Sequence, residues 1–195
     1  MRPDLSVVAG LVPRGSRVLD LGCGEGDLLS HLEHERGCTG TGVEIEEASI
    51  LKAIRAGVSV VEVDVDTELG EFADDSYDVV VLSQTLQALR RPAVVLGEIR
   101  RIGARCVVSV PNFGLWRHRA SLALRGRMPV STELPYAWFE TPNIHLSTLA
   151  DLEELFAALD MRVEERLLLD ERGNPLSSQR LANIRAGAAV YLLGR

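Results

Sequence analysis

No apolar run in this chain of 195 residues approaches the roughly 20 residues that a membrane span needs. No membrane partner is therefore expected. Residues 1–10 hold no basic stretch followed by an apolar block, so no secretory signal is expected either. Cysteine is scarce: Cys23, Cys38 and Cys106 are odd in number and lack CxxC spacing. That excludes a disulfide framework and a thiolate zinc site, and no bound metal is expected. Cys106 lies in an apolar run and reads as a small core residue. Positive charge is also lacking. The net charge of −7 argues against broad binding to nucleic acid or an anionic membrane. There is no internal repeat and no low-complexity linker. What remains is a cytoplasmic protein in which 46% hydrophobic residues supply the core of one domain over 1–195.

Short β-branched runs alternate with longer amphipathic stretches. Strands are expected at 17–21, 39–43, 58–63, 78–83, 106–110, 161–169 and 188–193. Several are apolar without alternation, as parallel strands covered on both faces are. Helices are expected at 27–36, 47–56, 91–101 and 148–159. Gly37 and Gly57 stand where C-caps belong, Pro92 suits a first helical turn, and Thr148 with Asp151 forms a capping-box pattern. Strands and helices alternating over short connections predict an α/β fold, a doubly wound sheet with right-handed crossovers.

The stretch VLDLGCGEGDLLSHLEHERG, residues 18–37, carries the strongest functional signal. A strand ends at Asp20 and Leu21, and Gly22, Gly24 and Gly26 turn the chain into a helix. In an open α/β sheet, ligands bind beyond the carboxyl ends of the strands. Glycines there permit a tight turn and a close approach, and a helix N-terminus favours an anionic group. Glu44 ends the second strand, 24 residues after Asp20, where a carboxylate can accept from a ribose diol. Asp64 ends the third strand and can accept from an exocyclic amine such as adenine's; Asp66 is the alternative. The fourth strand ends on polar Ser83, Gln84 and Thr85 over the same crevice. A glycine turn, two acids and a polar strand end describe a pocket for an adenosine with an amino-acid tail. A dinucleotide site fits less well. Its signature is G-x-G-x-x-G, whereas here Asp27 takes the place of the third glycine and would face a pyrophosphate unfavourably.

Residues 111–147 break the rhythm with Pro, Arg and five of the nine aromatics: Phe113, Trp116, Tyr136, Trp138 and Phe139. A long excursion from a strand end is a lid or partner surface, or else an extra helix packed on the sheet edge. Arg117, Arg119, Arg125 and Arg127 form a local basic cluster. With the tryptophans it reads as a docking surface, or as a solvated basic helix face with its tryptophans buried. A general base would come from His145, or from His118, Glu133, Tyr136 or Glu140. Each of these also reads as an ordinary structural residue. His31 and His34 read as a solvated helix face.

With Glu44 and Asp64, the segments VLDLGCGEGDLL and FADDSYDVVVLSQTLQAL resemble the class I S-adenosylmethionine-dependent methyltransferases. That resemblance implies a Rossmann-like, seven-stranded sheet of order 3-2-1-4-5-7-6, with the last strand antiparallel and helices on both faces. The segments LSQTLQAL, VSVPNFGLWRHR and LRGRMPVSTELPYAWFETPNIHLST are similar to the MetW family of methionine biosynthesis proteins, and the similarity spans nearly the whole chain. Leu115 stands where His is usual, and QAL replaces QAT. The resemblance implies S-adenosylmethionine or S-adenosylhomocysteine as ligand, held through Asp20, Gly22, Gly24, Glu44 and Asp64, with Cys23, Ile45, Val65 and Ser83 beside them. It implies a homoserine O-acyltransferase of the MetX, α/β-hydrolase type as partner, docked through residues 111–147. Three roles stay open: an activating partner subunit, an active small-molecule methyltransferase, and a scaffold with a vestigial pocket.

Overall fold

The computed structural model describes residues 2–132 and 134–195, so Glu133 lies outside the described residues. Seven strands form one sheet: β1 (Arg17–Leu21), β2 (Thr39–Glu44), β3 (Val60–Glu62), β4 (Tyr77–Ser83), β5 (Gly103–Pro111), β6 (Arg162–Leu169) and β7 (Ala188–Gly194). Their spatial order is β3-β2-β1-β4-β5-β7-β6. The first five run parallel, and β7 lies antiparallel between β5 and β6. Order and direction match the expectation from sequence. The order reverses between β1 and β4, so the crevice for a ligand opens at their carboxyl ends.

The sheet is buried on both faces. Helices α1 (Pro3–Leu11), α2 (Asp27–Arg36) and α3 (Glu47–Arg55) cover one face, where Val8, Leu29, Leu32 and Ala53 meet Val18, Val79 and Val81. Helices α4 (Pro92–Ile102) and α6 (Leu149–Ala158) cover the other, where Leu96, Ile99 and Phe156 meet Leu19, Val80 and Tyr191. This explains the unalternating strands: neither face of β4 or β7 meets water. Cys106 is buried in the core as expected. No described helix is long and apolar enough to cross a membrane.

Local signals held where they rested on chain chemistry. Gly37 caps α2 in the left-handed region, and α4 opens on Pro92. Thr148 Oγ1 accepts from the Asp151 amide while the Asp151 side chain accepts from the Thr148 amide, which closes the capping box. Two expectations need correction. The strand expected at 58–63 is only Val60–Glu62: past Glu62 the neighbouring β2, which ends at Glu44, offers no further rungs, while before Val60 the Ser59 carbonyl still accepts from the Gly42 amide of β2. No element is expected before residue 17, yet Pro3–Leu11 is helical. Leu5, Val8, Ala9 and Val12 recur at helical spacing and are all buried.

After Pro111, the last residue of β5, a short helix α5 (Trp116–Ala120) continues into one π turn (Ser121–Arg125), and the other described residues up to 147 are irregular. The return of this segment is pinned by the Ile144 and His145 amides, both 3.0 Å from the Gln87 carbonyl. Replacing Thr148 with Ala removes the cap of α6. Urea denaturation is expected to show a loss of about 1 kcal/mol.

Candidate functional site

The three glycines of the β1–α2 turn have three different reasons. All have positive φ, which disfavours any side chain. A Cβ on Gly22 would lie 2.6 Å from Thr85 Oγ1, so this glycine lets the ends of β1 and β4 close together. A Cβ on Gly26 would meet Val58 and Ala53 at 3.0–3.1 Å, so this one seats α2 on α3. A Cβ on Gly24 would meet nothing within 4 Å. Only there does the bare backbone face open space.

That space is a cleft of about 250 Å³ lined by Arg2, Leu5, Asp20, Gly22–Gly24, Glu25, Asp27, Leu28 and Ser83. Asp20 stands at its floor, 2% exposed, and its Oδ1 has no hydrogen-bond partner among the described residues. Burial pushes its carboxyl up to about 7; Arg2 opposes the shift and Glu44 adds to it. Cys23 contributes backbone only. Its sulfur packs where a Cβ on Gly42 would lie, and burial beside Asp20 and Glu44 pushes the thiol up to about 12. It is an inert thiol.

Glu44 ties the cleft to the second strand. Its Oε2 accepts from the Gly24 amide at 2.9 Å, and its Oε1 from the amides of Ile45 and Glu46 at 2.8 and 3.1 Å. The carboxylate therefore fixes the glycine turn and keeps a lone pair on Oε2 for one further donor. Asp64 and Val65 lie further along the same edge, beyond β3, outside the enclosed cleft. Ile45 is 63% exposed there. The choice between Asp64 and Asp66 is decided by partners. Asp66 accepts from the amides of Arg90 and Arg91 and so holds the loop after β4. Asp64 Oδ1 accepts only from the Asp66 amide among the bonds of its side chain.

The structure thus brings Asp20, Gly22, Cys23, Gly24 and Ser83 around one cleft, joins Glu44 to it, and sets Ile45, Asp64 and Val65 along its edge. His145 stands apart. It is exposed and lines a separate pocket of about 240 Å³ with Leu86, Gln87 and Leu155. His118 is buried, its Nε2 3.1 Å from Ser131 Oγ, and burial lowers its pKa.

Two residues with no sequence signal assigned to them complete the cleft. Arg2 donates to Ser83 Oγ at 2.9 Å, and Asp4 lies buried beneath it. Proline opening a helix with an acid in its first turn was the available signal. The arrangement presents a buried anion, exposed backbone and flanking carboxylates, which suits a ligand with an ammonium group and a diol.

Architecture and site together define a class I S-adenosylmethionine-dependent methyltransferase fold. The solved structures agree on the fold. A methyltransferase of this kind from Mesorhizobium loti matches with a TM-score of 0.73 at 17% identity, over 99% of this chain and 98% of its own. The methyltransferase in a Haloferax volcanii complex with the activator Trm112 matches at 0.71 and 16%, over 98% and 88%. The family model described as methionine biosynthesis protein MetW matches residues 2–193, and the chain belongs to that family. A curated relative, the bifunctional methionine biosynthesis protein MetXA/MetW of Rhodopirellula baltica, is 31% identical over 98% of this chain. The chain spans about a third of that relative's length, 32%.

Asp20 gives a prediction with a fixed sign. Its folded pKa lies above the ordinary 3.8. Its favourable contribution is therefore fully present below about pH 4 and is lost as pH rises through about 7. Asp20→Asn removes the buried charge. At pH 8 the ligand-free variant is expected to unfold a few kcal/mol later than the parent, with the gap shrinking toward pH 5. Thermal and urea unfolding at both pH values measure it; a variant less stable than the parent at pH 8 contradicts the assignment.

Proposed function

We propose that this chain takes part in methionine biosynthesis as an adenosyl-ligand-binding, activating subunit of a homoserine O-acyltransferase of the MetX type. The observation that carries the ligand reading is the buried Asp20 carboxylate with an unpartnered oxygen beside the open backbone of Gly24. The donor set fits S-adenosylmethionine or S-adenosylhomocysteine. Asp20 would accept from the α-ammonium, and the Gly22–Gly24 backbone and Ser83 would border the amino-acid tail. Glu44 would accept from the ribose hydroxyls. Ile45, Asp64 and Val65 would flank the adenine, with Asp64 accepting from its amine. When bound, the methylated form supplies an electrophilic methyl group.

The partner reading is supported by the Rhodopirellula relative, whose name joins MetXA to MetW in one chain. The 111–147 segment is the proposed docking surface. Trp138 is 72% and Phe139 69% exposed, packed edge to face at 5.7 Å, with Trp116 also exposed nearby in sequence. A basic helix face with buried tryptophans is therefore not what residues 111–147 form. Arg117 lies 5.5 Å from the Trp116 ring and pairs with Glu171 at 3.3 Å, and Arg119 donates to the Gly114 carbonyl. Exposed aromatics backed by guanidinium groups are the residue types that anchor interfaces.

An active small-molecule methyltransferase is the second reading. A larger cleft shares Arg2 with the adenosyl cleft and leaves room for an acceptor. His145, the candidate base, lines neither of those two clefts.

The deciding experiment is homoserine acylation by the cognate acyltransferase, with and without this chain, at fixed ionic strength. The expected result is co-elution and a rate gain of at least tenfold. Neither co-elution nor gain would overturn the partner reading. Trp138→Ala is expected to weaken the complex by about 2 kcal/mol, roughly thirtyfold, measured by calorimetric titration. Gly24→Val is expected to abolish S-adenosylhomocysteine binding, because its side chain fills the open space against the turn.

A further inference from the structure

A second cleft, of about 490 Å³, opens beside the first at the carboxyl ends of β4 and β5. Arg2 belongs to both. Its volume lies in the range of small-molecule sites. Two of its walls come from parts of the chain far apart in sequence: Thr132 and Tyr136 on one side, Asp170 and Arg172 on the other.

Its floor is built, not incidental. Asp4 is buried, and its Oδ2 gathers Ser109 Oγ at 3.2 Å, Gln84 Nε2 at 3.3 Å and Ser83 Oγ at 3.5 Å, while Oδ1 faces Arg2 Nε at 3.4 Å. Gln84 holds a positive φ of 57°, a costly conformation for a residue with a side chain. That backbone lets its amide donate to the Ser109 carbonyl while its side chain reaches Asp4. Beside it, Gln87 is 6% exposed. Gln87 Nε2 donates to the Gln84 carbonyl at 2.7 Å, but its Oε1 is buried with no partner among the described residues. A buried amide oxygen without a donor opposes folding until a donor meets it.

Most charges around the cleft are already used. Asp4 is spent on the floor network, and Asp170 accepts from the amides of Arg172 and Asn174 to hold its own turn. Glu171 pairs with Arg117. Two features remain: the Gln87 oxygen, which needs a donor, and exposed Arg172 at the rim, whose positive charge also favours the ionised form of the Asp170 carboxyl. A donor end and an anionic end on one small molecule would meet both.

The geometry points to this cleft as a binding site for a small zwitterionic amino acid, its ammonium turned to Gln87 Oε1 and its carboxylate to Arg172. The site is distinct from the adenosyl cleft and does not rest on that reading. Occupancy reaches the rest of the chain through Gln87, whose carbonyl accepts the amides of Ile144 and His145 and so anchors the end of the 111–147 segment.

Calorimetric titration of the whole protein with L-methionine and with L-homoserine tests it, with methylamine and propionate as probes carrying one charge each. At least one amino acid is expected to bind tenfold or more tightly than either single-charge probe. Saturating S-adenosylhomocysteine is expected not to displace it. Arg172→Gln and Gln87→Leu are each expected to weaken it fivefold or more, with circular dichroism confirming that both variants fold. Arg172 is exposed, so its replacement tests the site even if Gln87→Leu fails to fold. The proposal is overturned if neither amino acid binds at millimolar concentration, or if neither exceeds the single-charge probes. It is also overturned if S-adenosylhomocysteine competes directly, or if Arg172→Gln binds like the parent.

Discussion

A carboxylate buried without its full set of donors opposes folding, and Asp20 is such a group. It is the penultimate residue of β1, at the point where strand order reverses, 2% exposed, with one oxygen unpartnered among the described residues. Nothing in the packing of the sheet requires an acid there; the neighbouring Leu19 and Leu21 show what the core accepts at either side. The destabilised ion becomes favourable once a cation meets it. The rest of the site is arranged about that position. Gly22 brings β4 close, Gly24 leaves the backbone bare, and Glu44 fastens the turn to β2 through the Gly24 amide.

Much of this was legible in the sequence, and the reason is geometric. Parallel strands buried on both faces must be apolar without alternation, so seven short runs and the helices between them carried the α/β class, while the strand order and the antiparallel last strand came from the family resemblance. Acids at the carboxyl ends of parallel strands lie along one edge, so the places of Asp20, Glu44 and Asp64 in the fold could be read from spacing. Three glycines in a turn were legible as a turn. Their separate causes were not, since Thr85, Ala53 and Val58, the neighbours that matter, are distant in sequence.

The parts that escaped depend on contacts across the fold. Asp66 resembles Asp64 until the amides of Arg90 and Arg91 are seen to occupy it. Helix α1 was signalled by Pro3 and by the spacing of Leu5, Val8 and Val12, but one short amphipathic run at a chain end competes poorly with stronger patterns. That omission hid Arg2, which lines both clefts, and Asp4, which lines the larger one. The exposure of Trp138 and Phe139 was likewise open, because an irregular segment has no period from which to read an inward face.

A coupled picture follows from these connections. The Asp20 cleft meets the larger cleft at Arg2, and the larger cleft meets the aromatic segment at Gln87. Any energetic coupling along that route must be reciprocal. The charge state of Asp20 is tested most directly by proton linkage. Calorimetric titration of S-adenosylhomocysteine near pH 6.5, in buffers of different ionisation enthalpy, measures protons exchanged on binding. An ammonium at Asp20 lowers a carboxyl that sits at about 7 in the free protein, so binding should release a substantial fraction of a proton. The account predicts that release, and its loss in Asp20→Asn. Tight binding with no proton exchange, or with the same exchange in the variant, would contradict it.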